Sequence, residues 1–194
     1  RASAEEMKGR FFRLTEGKFY PVNFGTFHAI YYHILKSAYH YQSGNILSEH
    51  EKRELLKTVL FRQKGFPSMD EDQLELLLNQ ISRYKNDGCP GVLPDGPQEM
   101  PQAGALSKEQ FFAVYSAYSR EAKERRKLDF DDMVLECRNL FLQYPSILAA
   151  WQKKFRYILV DEFQDVNQLQ YDIVKLLALP ENNLFIVGDD DQST

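Results

Sequence analysis

Near its C-terminal end the chain runs twice from a short apolar segment straight into carboxylates, and this pairing restricts the fold more than any other feature. Tyr157-Ile158-Leu159-Val160 leads into Asp161-Glu162-Phe163-Gln164-Asp165, and Leu184-Phe185-Ile186-Val187-Gly188 leads into Asp189-Asp190-Asp191-Gln192. Between them, Asn167 to Leu179 carries Leu169, Ile173, Leu176 and Leu177 at helical spacing, and Pro180 follows. Two apolar runs separated by one amphipathic segment predict two buried parallel strands joined by a crossover helix. Both acidic clusters then sit at strand ends, where the crevice of an open α/β sheet binds its ligands.

Adjacent anions at the rim of an apolar core are costly unless a cation, water or donor compensates them. A hard divalent ion does so with few protein ligands, since magnesium keeps several waters and takes one or two carboxylates plus phosphate oxygens. Asp161 is then the metal anchor, and Glu162 is free to orient or deprotonate a water. A strand-end turn with solvated acids also accounts for Asp161-Glu162 taken alone. The second acidic strand end, Gly188 to Gln192, favours the ligand-binding account.

Ile158 to Asp165, with Gln170 beyond them and Val187 to Ser193 after that, resembles motifs II and III of the UvrD/Rep/PcrA group of superfamily 1 DNA helicases. The resemblance implies that Asp161 binds Mg²⁺, that Glu162 is the catalytic base and that Gln192 senses the γ-phosphate of ATP. It groups Gln164, Asp165 and Asp189 with nucleotide coupling. Val166 stands where the family usually has Thr, which removes a hydroxyl but neither the metal ligand nor the base. Gly25-Thr26-Phe27-His28 is similar to motif Ib, which contacts the DNA backbone, and Ala4 to Arg10 to the end of motif Ia, with Arg1 as a DNA contact. The residues alone read differently, Thr26 being a good N-cap and His28 a half-buried histidine.

The same resemblance implies an α/β fold: a partial RecA-like parallel sheet of the P-loop NTPase type carrying a mainly α-helical inserted subdomain. Residues 1–35 and 128–194 would belong to the first motor domain and 36–127 to the insertion. Leu128-Asp129-Phe130-Asp131-Asp132 marks the return to the motor. On the residues alone, Asp129 is an N-cap with Asp131 and Asp132 in the first helical turn, where negative charge is favourable.

Elsewhere, capping signals announce helices. Ser48 with Glu51, Asp70 with Gln73 and Ser107 with Gln110 each precede an apolar stripe, and Thr26 precedes the clearest one, through Tyr31, Ile34 and Leu35. Residues 1 to 10 are expected as helix and Val22 to Gly25 as a short strand. Asn86 to Gly104 holds four of the ten glycines and four of the eight prolines, an irregular connection. Lys123 to Lys127 complements a helix C-terminus or meets DNA.

Composition excludes several classes. Cys89 and Cys137 offer neither a disulfide framework nor metal spacing, and the four histidines match no zinc motif. No apolar run reaches bilayer length and Arg1 to Glu6 lack the apolar centre of a signal peptide, so an intracellular protein is expected, and the helicase resemblance implies a cytoplasmic, nucleoid-associated one. A net charge of −4 disfavours a self-sufficient DNA-binding domain, although one strand in a groove needs only a few phosphate and stacking contacts.

The sequence has no Gly-rich phosphate loop, since Gly17-Lys18 is followed by Phe19. The expectation is a monomeric piece of an ATP-dependent helicase, inactive on its own; the resemblance implies that the whole protein moves 3′-to-5′ on single-stranded DNA and unwinds duplex. Two alternatives remain: a DNA- or protein-binding segment that has lost the motor, and a divalent-metal nuclease built on Asp161, Glu162 and Asp189 to Asp191.

Overall fold

The computed structural model describes residues 2–63, 66, 69–89 and 106–189. The chain divides into two compact units, Arg1–Tyr41 and Gln42–Thr194. In the first, helix α1 (Ala2–Leu14) is followed by α2 (Phe27–Tyr39). Phe11 of α1 meets the rings of Tyr20 and Phe24 at 5.9 and 5.6 Å, so the connecting segment folds back on α1. Thr26 caps α2 through a bond from the Ala29 N–H, and Tyr31, Ile34 and Leu35 form its buried face. The strand expected at Val22 to Gly25 does not form. A strand is defined by its ladder, and these residues find no pairing partner among the described residues.

The second unit opens with three helices, α3 (Glu49–Arg62), α4 (Glu71–Asn86) and α5 (Lys108–Glu124). Each starts with a capping box, on Ser48, Asp70 and Ser107 respectively, that satisfies two orphan amides reciprocally. Leu55, Leu56, Leu77, Ile81, Phe111 and Val114 anchor a core between them. Chain entry and exit for this helical layer lie side by side. Leu47 N–H bonds the Leu128 carbonyl and Leu128 N–H the Asn45 carbonyl, both at 2.9 Å. Asn45 Nδ2 adds a bond to the Arg126 carbonyl at 2.8 Å.

Beyond Leu128 come α6 (Phe130–Gln143), α7 (Pro145–Lys154) and α8 (Gln168–Ala178), packed on one another through Met133, Cys137, Phe141, Trp151 and Ile173. Val174 is buried and Leu176 only half-buried, so the inward stripe of α8 is shifted slightly from the sequence reading. Strands β1 (Ile158–Val160) and β2 (Leu184–Ile186) pair in parallel, with Ile158 opposite Leu184 and Val160 opposite Ile186. Crossover and pairing are as expected; the burial is not. Val160 is 6% exposed, whereas Leu159 is 74% and Phe185 62% exposed. Side chains alternate between the faces of a strand, and no described element covers the face bearing Leu159 and Phe185. The molecule is mostly helical, with a small two-stranded parallel sheet. None of the described helices is long and apolar enough to cross a membrane.

Candidate functional site

Strand β1 ends at Val160, and the next residues are held in a turn that serves several backbone groups at once. Val187 N–H bonds the Val160 carbonyl at 2.8 Å, and Phe163 N–H bonds the Val187 carbonyl at 2.9 Å. These two bonds continue the parallel ladder past the strand ends and fix Asp161 and Glu162 between them. Glu162 adopts left-handed backbone angles, φ 51° and ψ 47°. Such a conformation costs a non-glycine residue about 1–2 kcal/mol. The turn sustains it through Asp165 N–H to the Glu162 carbonyl at 3.0 Å and Glu162 N–H to Asp161 Oδ1 at 3.1 Å. Strain of this kind clusters where a side chain must point in one direction.

Gln164 joins the two acidic strand ends. Its Nε2 donates to Glu162 Oε2 at 2.6 Å, and its Oε1 accepts the Asp189 N–H at 3.1 Å. Gly188 leaves the room for this: a Cβ there would lie 2.9 Å from Gln164 Oε1 and 3.4 Å from the Gln164 backbone nitrogen. On the other side, the Phe163 ring meets Tyr171 of α8 edge-on at 5.7 Å. Asp161, Glu162 and Asp165 are exposed. Asp161 and Glu162 offer the hard oxygen donors magnesium takes, one or two carboxylates with room for water and phosphate oxygens, so the residues fit that ion. No group of three or more metal-binding side chains occurs among the described residues.

Asp161, Glu162, Gln164, Asp165 and Asp189 are therefore gathered at one end of the sheet. Gln192 and Arg1 lie outside the described residues, as do Asp190 and Asp191. Thr26, Phe27 and His28 belong to the first unit, at the start of α2. Thr26 is exposed, with its hydroxyl engaged as a cap at 3.3 Å from Ala29 N, while Phe27 and His28 are half-buried. Phe27 packs on Tyr31.

Sequence reasoning missed Lys85, which is 0% exposed. Its Nζ lies 2.7 Å from Asp129 Oδ2 and 2.6 Å from Asp132 Oδ1. Burial works against the lysine's charge, but the fields of Asp132 and Asp129 outweigh it and raise its pKa. Burial, countered in part by Lys85 and reinforced by the Asp129 charge, pushes Asp132 up to about 6. Burial opposes ionisation of Asp129 too, but Lys85 overcomes it, leaving that carboxyl below the ordinary range. One cation thus faces two carboxylates, of which Asp129 ionises first and Asp132 holds its proton to higher pH. The signal was present: Lys85 follows Leu74, Leu78 and Ile81 at helical spacing, on the inward side of α4.

Comparison with known proteins bears on what this geometry is for. The family described as the UvrD/REP helicase N-terminal domain matches residues 1–194. The chain belongs to that family. This helicase domain is 37% identical to YjcD of Bacillus subtilis (strain 168) over 197 aligned residues, covering 97% of this chain and 24% of YjcD. It is 32% identical to the ATP-dependent DNA helicase PcrA of Staphylococcus aureus (strain Mu50 / ATCC 700699), covering 98% of the chain and 26% of PcrA. PcrA of Staphylococcus epidermidis aligns to the same extent. The helicase domain therefore spans about a quarter of the length of these relatives.

Proposed function

We propose that this chain supplies the magnesium and water-activating end of an ATPase motor in an ATP-dependent DNA helicase. The observation that carries the reading is Gln164, one side chain bonded both to Glu162 after β1 and to the backbone of Asp189 after β2. In this reading Asp161 holds Mg²⁺. When bound, that ion supplies positive charge to the phosphate oxygens of ATP. Glu162 takes the proton of the attacking water through the carboxylate oxygen that Gln164 leaves free. Gln164 fixes the carboxylate's orientation, and its link to Asp189 relates the base to the segment that continues to Gln192, which senses the γ-phosphate. Asp165 and Asp189 share in that coupling.

Residues 1–35 and 128–194 serve as motor and 36–127 as a helical insertion, a division supported by the paired backbone at Asn45 to Leu47 and Arg126 to Leu128. At the start of α2, Thr26, Phe27 and His28 meet a DNA phosphate, favoured by the positive end of the helix dipole, and Arg1 is a further DNA contact in this reading. Movement is 3′-to-5′ on single-stranded DNA with unwinding of duplex. A full-length protein carrying Glu162→Gln is the test. DNA-stimulated ATP hydrolysis is expected to fall by about 10²–10⁴-fold, the ordinary worth of a general base. Unchanged hydrolysis removes Glu162 from the chemistry and overturns the reading.

A further inference from the structure

Asn86, the last residue of α4, has every hydrogen-bonding group of its side chain engaged. Its Nδ2 donates to Asp131 Oδ1 of α6 at 2.9 Å and to the Ser82 carbonyl at 3.0 Å. Its Oδ1 accepts from Asn167 Nδ2 at 2.9 Å. Asn167 in turn uses its own Oδ1 to cap α8, accepting the Gln170 N–H at 2.9 Å. The chemistry of the partners dictates both amide orientations. A carbonyl and a carboxylate only accept and a backbone N–H only donates, so turning either amide over would set like groups face to face. All four of these bonds are partly shielded from water, which makes a lost partner costlier than on an open surface.

The placement of this relay is what gives it a function. Only Val166 separates Asn167 from the turn Phe163–Asp165, whose Gln164 holds Glu162. Beside Asn86, Lys85 grips Asp129 and Asp132 from the same end of α4. Two consecutive residues of one helix therefore engage all three acids of the α6 start, and one of them continues on to the N-cap of α8. We infer that Asn86 is a positioning residue for Glu162, acting through Asn167 to key the catalytic turn to the helical layer of α3 to α5. This rests on the ATPase reading above and extends it to residues outside the nucleotide site. None of the relay residues is among those proposed to hold the metal, activate water or couple to the nucleotide, so its loss is expected to act on orientation: kcat falls and the KM for ATP stays.

Asn167→Asp isolates the link. Aspartate caps a helix as well as asparagine does, but its second oxygen would face Asn86 Oδ1 where an N–H stood. In the full-length protein we expect kcat for DNA-stimulated ATP hydrolysis to drop by about ten- to hundredfold, the scale on which small misplacements act, with the KM for ATP unchanged. Asn86→Ala removes the oxygen that the new carboxylate would face, so in that background Asn167→Asp is expected to cause little further loss of kcat, the two changes being non-additive. Wild-type turnover in Asn167→Asp overturns the inference, and so does an undiminished further loss when Asn167→Asp is added to Asn86→Ala. A fall matched by an equal loss of folded protein in circular dichroism counts against it equally. Glu162→Gln run alongside separates the two failures, because full activity there removes the ATPase reading itself.

Discussion

Gly188 does not occupy the left-handed region of backbone space, so what its position demands is room alone. Alanine there would push on the Gln164 oxygen at 2.9 Å and on the turn backbone behind it. The clash falls on the side chain that holds Glu162, and Gly188→Ala in the full-length protein is expected to lower ATP turnover about tenfold or more while leaving helical circular dichroism intact. Asp132 offers a second prediction at the same scale. Burial beside Asp129 raises its pKa to about 6, above that of an unfolded carboxyl. The folded state then binds the proton more tightly than the unfolded one, so the Asp132 contribution is complete below about pH 4 and is lost as pH rises through about 6. Asp132→Asn removes that titration. Urea unfolding from pH 4 to pH 7 is expected to shift steadily in the variant's favour relative to the natural chain.

At the scale of elements, the helices are set by their first turns and their stripes. Ser107 accepts the Gln110 N–H while Gln110 Oε1 accepts the Ser107 N–H, closing both orphan amides at the start of α5. Ser107→Ala is expected to cost about 1 kcal/mol, measured as a lowered urea midpoint at unchanged slope. By contrast, the ion pair of Glu121 with Arg125, the residue that caps the C-terminus of the same helix, lies at the solvent boundary, where screening leaves it little weight. The strands behave otherwise. Neither β1 nor β2 is long enough to bury a face, and their positions come from pairing with each other and from the turn that extends the ladder through Val187.

Considered as a whole molecule, the chain carries the residues proposed as base and metal ligand of an ATPase but no Gly-rich loop in its sequence. The isolated chain is accordingly expected to show no ATP turnover above background with DNA and magnesium present; turnover abolished by Glu162→Gln would contradict this. The helix starts at Ser48, Asp70, Ser107 and Asn167, the inward stripes of α3 to α5, and the parallel crossover were all legible in the residues, because caps and periodicity act within one turn or one strand. The acid pair at the end of β1 was legible for the same reason, since a run of apolar residues must stop somewhere and carboxylates marked the place. Exposure of Leu159 and Phe185 was not, because an apolar run reports what a face prefers and not what lies against it. Gln164 spanning two strand ends, Lys85 buried between Asp129 and Asp132, and Asn86 reaching Asn167 join residues far apart in the chain. Local chemistry determined which groups this protein had to satisfy; only the packing of α4 against α6, and of α8 beside them, decided which distant partner satisfied each, because a buried polar group takes whatever complementary atom the fold brings within about 3 Å.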